Sequence, residues 1–335
     1  MKMISIVIPV YNTGELLYKC FDSIVSQTIG LDNIEAVVVD DGSTDGISPA
    51  IMKEYESRYP DSFKCYSKAN GGQGSARNMG FKYCTGEYIS CLDSDDQYDP
   101  AWAEKMYKAA KDNNADFVGC GYKAVRYDGD KEIVVRDLDM RPICSTNREM
   151  FIDANVSMFT TLFKREILVD SGAFYPEGFI YEDTAFFAEL LPWISKPVYI
   201  TEALSVRTLH EGSTMTSVRP EKVANIMPVF DALLSFYKGK GLYEDYKSEL
   251  DYLIGKVMLF SNLNRVSFVD KRRDRRELVS RSYDYIRHNI SDLSANPYIK
   301  GGVKGYIMKH YSKLLMNLMV EILHIRFKVK KDYNT

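Results

Sequence analysis

The first half of the chain alternates between short, continuous apolar runs and longer segments with helical spacing. Ile4–Val10 is apolar at almost every position, which is typical of a strand buried on both faces of a sheet. The next segment carries its apolar residues on one helical stripe: Leu16, Leu17, Cys20, Phe21, Ile24 and Val25. Further apolar runs, each followed by a helical segment, occupy residues 36–39, 63–67 and 89–92. Four strand–helix repeats predict a doubly wound α/β sheet.

The pattern continues with strands and then changes character. Strands are predicted over residues 117–125, 133–135, 159–163 and 197–209, with a hairpin turn at Asp128-Gly129. After Pro220 glycines become sparse, and long helical periods cover residues 221–238, 243–265, 274–288 and 306–327. We therefore predict an α/β domain over residues 1–220 and a helical domain over residues 221–335.

Carboxylates follow two of the predicted strands. Asp93, Asp95 and Asp96 lie in a tight turn after the fourth strand, just before Asp99-Pro100, which is typical of a helix start. Like charges this close need a cation to neutralise them, and carboxylate oxygens suit Mg²⁺ or Mn²⁺. The alternative is a solvated acidic turn. Because ligands of such sheets bind beyond the carboxyl ends of the strands, these side chains, Asp40-Asp41 and Tyr11 are predicted to form one site.

Asp40-Asp41 and a glycine-rich stretch indicate a nucleotide site, although each also has a simpler structural explanation. One of the two carboxylates could accept a hydrogen bond from the N3–H of uracil or from a ribose; alternatively, the pair caps a turn. The stretch from Asn70 to Asn78 follows the third strand and matches neither a Walker A loop nor a dinucleotide fingerprint. Arg77 in that stretch suits a diphosphate through its bidentate fork. The alternative is a structural loop whose backbone needs positive φ angles, which glycine adopts readily.

Two later segments offer groups for acid–base and metal chemistry. Glu182-Asp183 follows aromatic residues at a helix start, where desolvation would raise the pKa of a general base. The alternative is an acidic first turn favoured by the helix dipole. His210 follows a strand and would complete an Asp-Asp-His metal set, or it is incidental.

Composition narrows the function classes. The 335 residues are 45% hydrophobic and carry a net charge of −3, which gives no whole-chain indication of nucleic-acid binding. The six cysteines have no CxxC spacing, so neither zinc nor a disulfide framework is predicted. The N-terminus runs straight into a strand pattern without a signal-peptide core, and no apolar run is long enough to span a bilayer. We expect a cytoplasmic protein.

The C-terminal segment differs in charge from the rest. Residues 301–335 hold seven Lys or Arg against Glu321 and Asp332, a net charge of +5 that leaves −8 elsewhere. An apolar stripe runs through the same segment: Leu314, Leu315, Leu318, Met319, Ile322 and Leu323. This helix either packs on the body or another subunit, giving a homo-oligomer, or lies on the anionic inner face of a membrane. The basic run at residues 271–276 could join that surface.

Six motifs, in order, resemble one known family. They are IVIPVYN (residues 6–12), VVVDDGSTD (37–45), NGGQGSARN (70–78), LDSDD (92–96), LFKRE (162–166) and YED (181–183). Together they are similar to the GT-A domain, a Rossmann-like nucleotide-sugar-binding fold, of inverting family 2 glycosyltransferases that build bacterial surface polysaccharides and teichoic acids. The resemblance covers about residues 1–215. The QxxRW motif of processive synthases is absent from the sequence, which favours transfer of one sugar at a time.

The resemblance implies roles for individual residues. Asp183 resembles the catalytic base and Glu182 its supporting neighbour, while Asp93 and Asp95 resemble the DxD metal pair, joined by His210. The nucleotide-sugar would contact a set of residues at the strand ends and in the glycine-rich loop: Pro9, Tyr11, Asp40, Asp41, Asn70, Gly71, Arg77, Asp93 and Ser94. The implied reaction is Mn²⁺- or Mg²⁺-dependent transfer from a UDP-sugar to a glycan, glycolipid or protein acceptor. A sugar-nucleotide nucleotidyltransferase and a catalytically silent binding module are the alternatives.

Overall fold

The protein is described by a computed structural model that covers residues 2–129, 131–138, 143–153, 157–210 and 220–332. Within these residues nine strands form one sheet. The strands are β1 Ile4–Val10, β2 Ile34–Asp40, β3 Phe63–Ser67, β4 Tyr88–Cys91, β5 Gln97–Tyr98, β6 Phe117–Asp128, β7 Lys131–Leu138, β8 Thr161–Lys164 and β9 Pro197–Thr208.

The helices of the described residues fall into two groups. Seven lie between or beside the strands: α1 Leu16–Val25, α2 Ile47–Arg58, α3 Gln73–Phe81, α4 Trp102–Asp112, α5 Asn147–Asp153, α6 Arg165–Ser171 and α7 Glu182–Leu190. Seven more follow the last strand: α8 Pro220–Val223, α9 Ile226–Gly239, α10 Tyr243–Lys256, α11 Leu263–Val266, α12 Arg272–Asn289, α13 Gly302–Lys309 and α14 Lys313–Asp332. A π-helical segment, Val257–Asn262, joins α10 to α11.

The sheet is parallel on one side and mixed on the other. Its order is β3-β2-β1-β4-β8-β6-β9-β5, with β7 paired to β6. β1, β2, β3 and β4 run parallel, whereas β8 is antiparallel to both β4 and β6. All seven residues of β1 and of β2 are buried, as their unbroken apolar sequences predict. The α/β prediction is confirmed, but the sheet is not wholly parallel.

Local hydrogen bonds and breaks set several helix ends. α2 begins at Ile47 because the Asp45 carboxylate accepts the backbone N–H of Ser48 at 3.0 Å. α4 begins two residues after Pro100, and the Asp99 carboxylate accepts the N–H of Ala101. The helix predicted over residues 306–327 is two helices, with the break after Lys309.

The chain forms two compact units. The first contains Met1–Gly178 and Glu182–Glu211, and its core lies between the buried strands and helices such as α1 and α4. The second contains Phe179–Tyr181 and Gly212–Thr335 and is built from the C-terminal helices. In the described part of the chain, no helix is both long enough and apolar enough to cross a membrane.

Candidate active site

The acidic turn lies at the carboxyl end of β4, as predicted. Asp93 and Asp95 are partly exposed, whereas Asp96 is buried and accepts the backbone N–H of Thr208 at 2.9 Å. Burial, with Asp93 and Asp95 nearby, raises the pKa of Asp96 to about 8. Three carboxyl groups in one turn are costly to ionise together, and a bound cation would offset that cost.

Arg77, on α3, connects the acidic turn to the start of α7. Its guanidinium is 2.6 Å from an Asp93 oxygen, 3.0 Å from Asp183 and 3.4 Å from Glu182. The side chain is only 2% exposed, and the guanidinium lies 5.0 Å from the centre of the Tyr175 ring. Burial lowers the pKa of Arg77, but the surrounding carboxylates and Tyr175 outweigh it and raise the pKa well above its usual value. A permanently charged group therefore holds three carboxylates together.

The two carboxylates at the start of α7 have different surroundings. Glu182 is 2% exposed and accepts a hydrogen bond from Gln73 as well as from Arg77. Asp183 keeps 35% of its side chain exposed, so substrate can reach it. Burial of its carboxyl raises the pKa of Asp183, Arg77 lowers it, and Glu182 and Asp93 raise it, to about 7 overall. A carboxyl with this pKa can accept a proton near neutral pH.

The backbone in front of α7 is strained. Tyr181 has φ +74°, in the left-handed region that an aromatic residue rarely occupies. Its ring packs against the guanidinium of Arg265, whose centre is 4.7 Å away. Strained residues of this kind cluster at functional sites, and this one immediately precedes Glu182 and Asp183.

The glycine-rich loop folds around Asp41. The Asp41 carboxylate accepts the N–H groups of Gly71 at 2.9 Å and Gly72 at 2.7 Å, and also pairs with Lys68 at 2.9 Å. Gly72 has φ +87°, a conformation that favours glycine, and a Cβ on Gly74 would lie only 3.0 Å from Tyr175 Cβ, which leaves little space for a side chain. Asp40 accepts the N–H of Ser43 at 2.9 Å, as a turn-capping residue does. Both carboxylates thus stabilise loops at this strand end.

The other residues predicted to bind nucleotide lie at the same edge of the sheet. Pro9 pairs with Val39 inside the sheet, and Tyr11 follows β1 with half of its surface exposed. Ser94 Oγ is 2.6 Å from Thr13 Oγ1, which ties the acidic turn to the segment after β1. Asn70 is exposed beside Gly71.

Asp95 and His210 form the pair most suited to a metal ion. His210 Nε2 lies 2.7 Å from Asp95 Oδ2, although the two residues are far apart in sequence. No group of three His, Cys, Asp or Glu side chains among the described residues is arranged to hold an ion. Mg²⁺ and Mn²⁺ sites often use only one or two protein carboxylates and take the remaining oxygens from substrate phosphates. The donor set fits that kind of site, with Asp93 beside it.

Sequence reasoning missed three residues that shape the site. Lys68 pairs with Asp41, Gln73 donates to Glu182, and Tyr175 packs on Arg77. Lys68 lies two residues before the glycine-rich stretch and Gln73 lies within it, so their position could have revealed them. Tyr175 comes from a loop with no pattern of its own, held by hydrogen bonds to Asn78.

Comparison with known proteins finds a family that resembles the first half of the chain. Residues 5–170 match the family model "Glycosyl transferase family 2". Two bacterial relatives illustrate the similarity. The chain is 28% identical over 267 residues to the putative glycosyltransferase EpsH of Bacillus subtilis, covering 75% of this chain and 74% of that protein. It is 32% identical over 178 residues to the poly(ribitol-phosphate) beta-glucosyltransferase of Bacillus spizizenii, covering 52% of this chain and 27% of that protein.

A solved structure shares the fold across nearly the whole chain. The crystal structure of residues 1–349 of S. aureus TarS in complex with UDP-GlcNAc superposes with a TM-score of 0.72 at 19% sequence identity. The match covers 98% of this chain and 92% of that one. At this identity the likeness concerns the fold, which therefore includes the C-terminal helices as well as the sheet.

Proposed function

We propose that this chain moves one sugar from a UDP-sugar to a hydroxyl of a cell-surface acceptor. The chain belongs to the family 2 glycosyltransferases, and it is a glycosyltransferase by that membership. The acceptor class is a glycan, a glycolipid or a glycoprotein. The UDP-GlcNAc bound by TarS supports the donor, and the poly(ribitol-phosphate) relative supports a surface polymer as acceptor.

The observation that carries the proposal is the position of Arg77 between Asp93 and Asp183. It puts a partly exposed carboxyl of raised pKa close to the acidic turn at the carboxyl end of the parallel strands. A general base can take the acceptor proton, and a cation at the turn would stabilise the charge that develops on the leaving diphosphate.

The reaction is a single in-line displacement that inverts the anomeric carbon. The acceptor oxygen bonds to that carbon while the bond from the carbon to the diphosphate oxygen breaks, and Asp183 takes the hydroxyl proton. Its contact with Arg77 orients the carboxyl and keeps it ionised for part of the time at neutral pH. Glu182 and Gln73 hold the guanidinium and the helix start in place.

Asp95 and His210, with Asp93, would hold a divalent cation. A bound Mn²⁺ or Mg²⁺ supplies positive charge against the departing diphosphate. The Arg77 fork contacts carboxylates in the structure, so its predicted contact with the diphosphate requires one of these pairs to open.

The nucleoside would lie beside β1 and β2. Three bonds to Asp41 use three of the roughly four acceptor positions that a carboxylate offers, which leaves room for the N3–H of uracil. Asp40, Pro9, Tyr11, Asn70, Gly71 and Ser94 would complete the pocket. The protein would work in the cytoplasm, either free or at the inner face of the membrane.

One experiment tests both the donor and the reaction. Purified protein is incubated with UDP-, GDP- and dTDP-sugars in the presence of Mn²⁺, and release of free nucleotide is measured against the Asp183→Asn variant. We expect hydrolysis of a UDP-sugar that falls in the variant and stops on addition of EDTA. Failure to turn over any nucleotide-sugar would exclude the proposal, and preference for a GDP- or dTDP-sugar would overturn the uridine assignment.

A further inference from the structure

The last helix of the chain, α14, has two apolar faces. On one, Met316, Val320 and His324 are buried in the helical unit. On the other, Leu314, Leu318, Ile322 and Ile325 are 83%, 56%, 56% and 62% exposed. At 3.6 residues per turn these four side chains span an arc of about 80°, roughly opposite the buried residues. A helix that is apolar on opposite faces is normally covered on both.

Several positive charges on α13 and α14 have no acidic partner among the described residues. Glu321, an acidic residue of α14, is already paired with Arg275 at 2.8 Å, and Lys313 is paired with Asp284 at 2.9 Å. Among the described residues, Lys304, Lys309 and Arg326 form no salt bridge. The C-terminal segment therefore presents uncompensated positive charge on the helices that carry the exposed aliphatic residues.

One residue of the basic run at residues 271–276, Arg275, faces inward instead of joining this surface, whereas Lys271, Arg272, Arg273 and Arg276 are exposed. Arg275 is 3% exposed and turns inward, where it also donates to the backbone oxygens of Val269 at 2.9 Å and Asp270 at 2.7 Å. Its partner Glu321 and the neighbouring His324 both lie on α14. Arg275 therefore links α12 to the side of α14 that carries Glu321 and His324, and the stripe remains exposed.

We propose that the stripe formed by Leu314, Leu318, Ile322 and Ile325 inserts into the headgroup region of an anionic lipid surface. Aliphatic side chains would enter the interface while nearby Lys and Arg side chains reach the lipid phosphates. A second copy of this chain fits less well, because a symmetric contact would bring the same positive charges together. The inference does not depend on the proposed transfer reaction, since lipid binding requires no donor or turnover.

The test is flotation of the full-length protein with two kinds of vesicle. One contains phosphatidylcholine alone, and the other is an equimolar mixture with phosphatidylglycerol. A stripe variant combines Leu314→Ser, Leu318→Ser and Ile322→Ser, and a charge variant combines Lys304→Gln, Lys309→Gln and Arg326→Gln. The matched control replaces three equally exposed aliphatic residues of the first unit: Val134→Ser, Val135→Ser and Val169→Ser. Circular dichroism confirms that each variant is folded.

We expect the wild type and the control to float only with the anionic vesicles. The partition coefficient of the charge variant should fall about fivefold per residue removed, or ~100-fold in total. Each substitution by serine in the stripe should lower the partition coefficient about tenfold. The proposal is overturned if the wild type and the stripe variant float equally. It is also overturned if the wild type floats as well with neutral vesicles as with anionic ones, or if it does not float at all. Sedimentation showing a wild-type dimer that the stripe variant loses while vesicle binding is absent also overturns it, and would assign the stripe to self-association.

Discussion

Replacing Arg77 with glutamine should destabilise the protein strongly, because it leaves buried carboxylates without a partner. Glu182 and Arg77 are each 2% exposed, so their pairing takes place away from solvent. Removing one partner of a buried pair costs about 3–5 kcal/mol, since the remaining charge stays desolvated. The contacts with Asp93 and Asp183 add at most about 1 kcal/mol each, because those side chains are 40% and 35% exposed and screened.

The loss of stability in the Arg77→Gln variant should also depend on pH. Arg77 lowers the pKa of Asp183, so its removal should raise that pKa above about 7. Between about pH 4, where an unfolded carboxyl titrates, and this raised value, the folded variant binds more protons than the unfolded chain. Stability of the variant therefore falls as pH rises through that window, and the penalty is larger near pH 8 than near pH 5.

Urea unfolding of wild type and variant at both pH values measures the effect. Arg58→Gln is the matched control, because Arg58 also pairs with a glutamate, Glu54, but both side chains are largely exposed. We expect that variant to lose no more than about 0.5 kcal/mol. A loss for Arg77→Gln as small as the control's, or one that does not change with pH, would contradict the assignment of Arg77 as the group that compensates these carboxylates.

Four further outcomes are expected. Asp183→Asn should lower turnover by about a hundredfold or more while calorimetric UDP affinity stays near wild type, and near-normal turnover would remove Asp183 from the role of base. In the wild type, kcat/KM should fall as pH drops below about 7, because protonated Asp183 cannot accept the acceptor's proton; a profile flat down to pH ~5 would contradict this. Asp95→Ala should weaken UDP binding in the presence of Mn²⁺ but not with EDTA, and unchanged calorimetry would reject Asp95 as a ligand. Gly80→Ala should cost about 1–3 kcal/mol in urea unfolding, because the new Cβ would lie 2.5 Å from a Val7 methyl; Gly239→Ala, where nothing lies within 4 Å, is the control and should be neutral.

The strands β1 and β2 could be predicted because their unbroken apolar sequences are typical of buried strands. Seven successive buried positions in β1 and in β2 need a fully covered sheet, and the helical stripe of α1 needs a sheet to pack on. Helix ends were less predictable, since they depend on single hydrogen bonds such as that between Asp45 and Ser48. The break between α13 and α14 was missed because the apolar period runs through it.

The sequence by itself determined which chemical groups stand at the strand ends, because polar residues that interrupt apolar runs fall at the edge of the sheet whatever the rest of the chain does. Only the tertiary structure decided how those groups pair. Asp95 meets His210, and Arg77 faces three carboxylates rather than open solvent, because long-range packing brings together segments that are distant in sequence. Pairing and burial then set the proton affinity of Asp183, which local sequence does not encode.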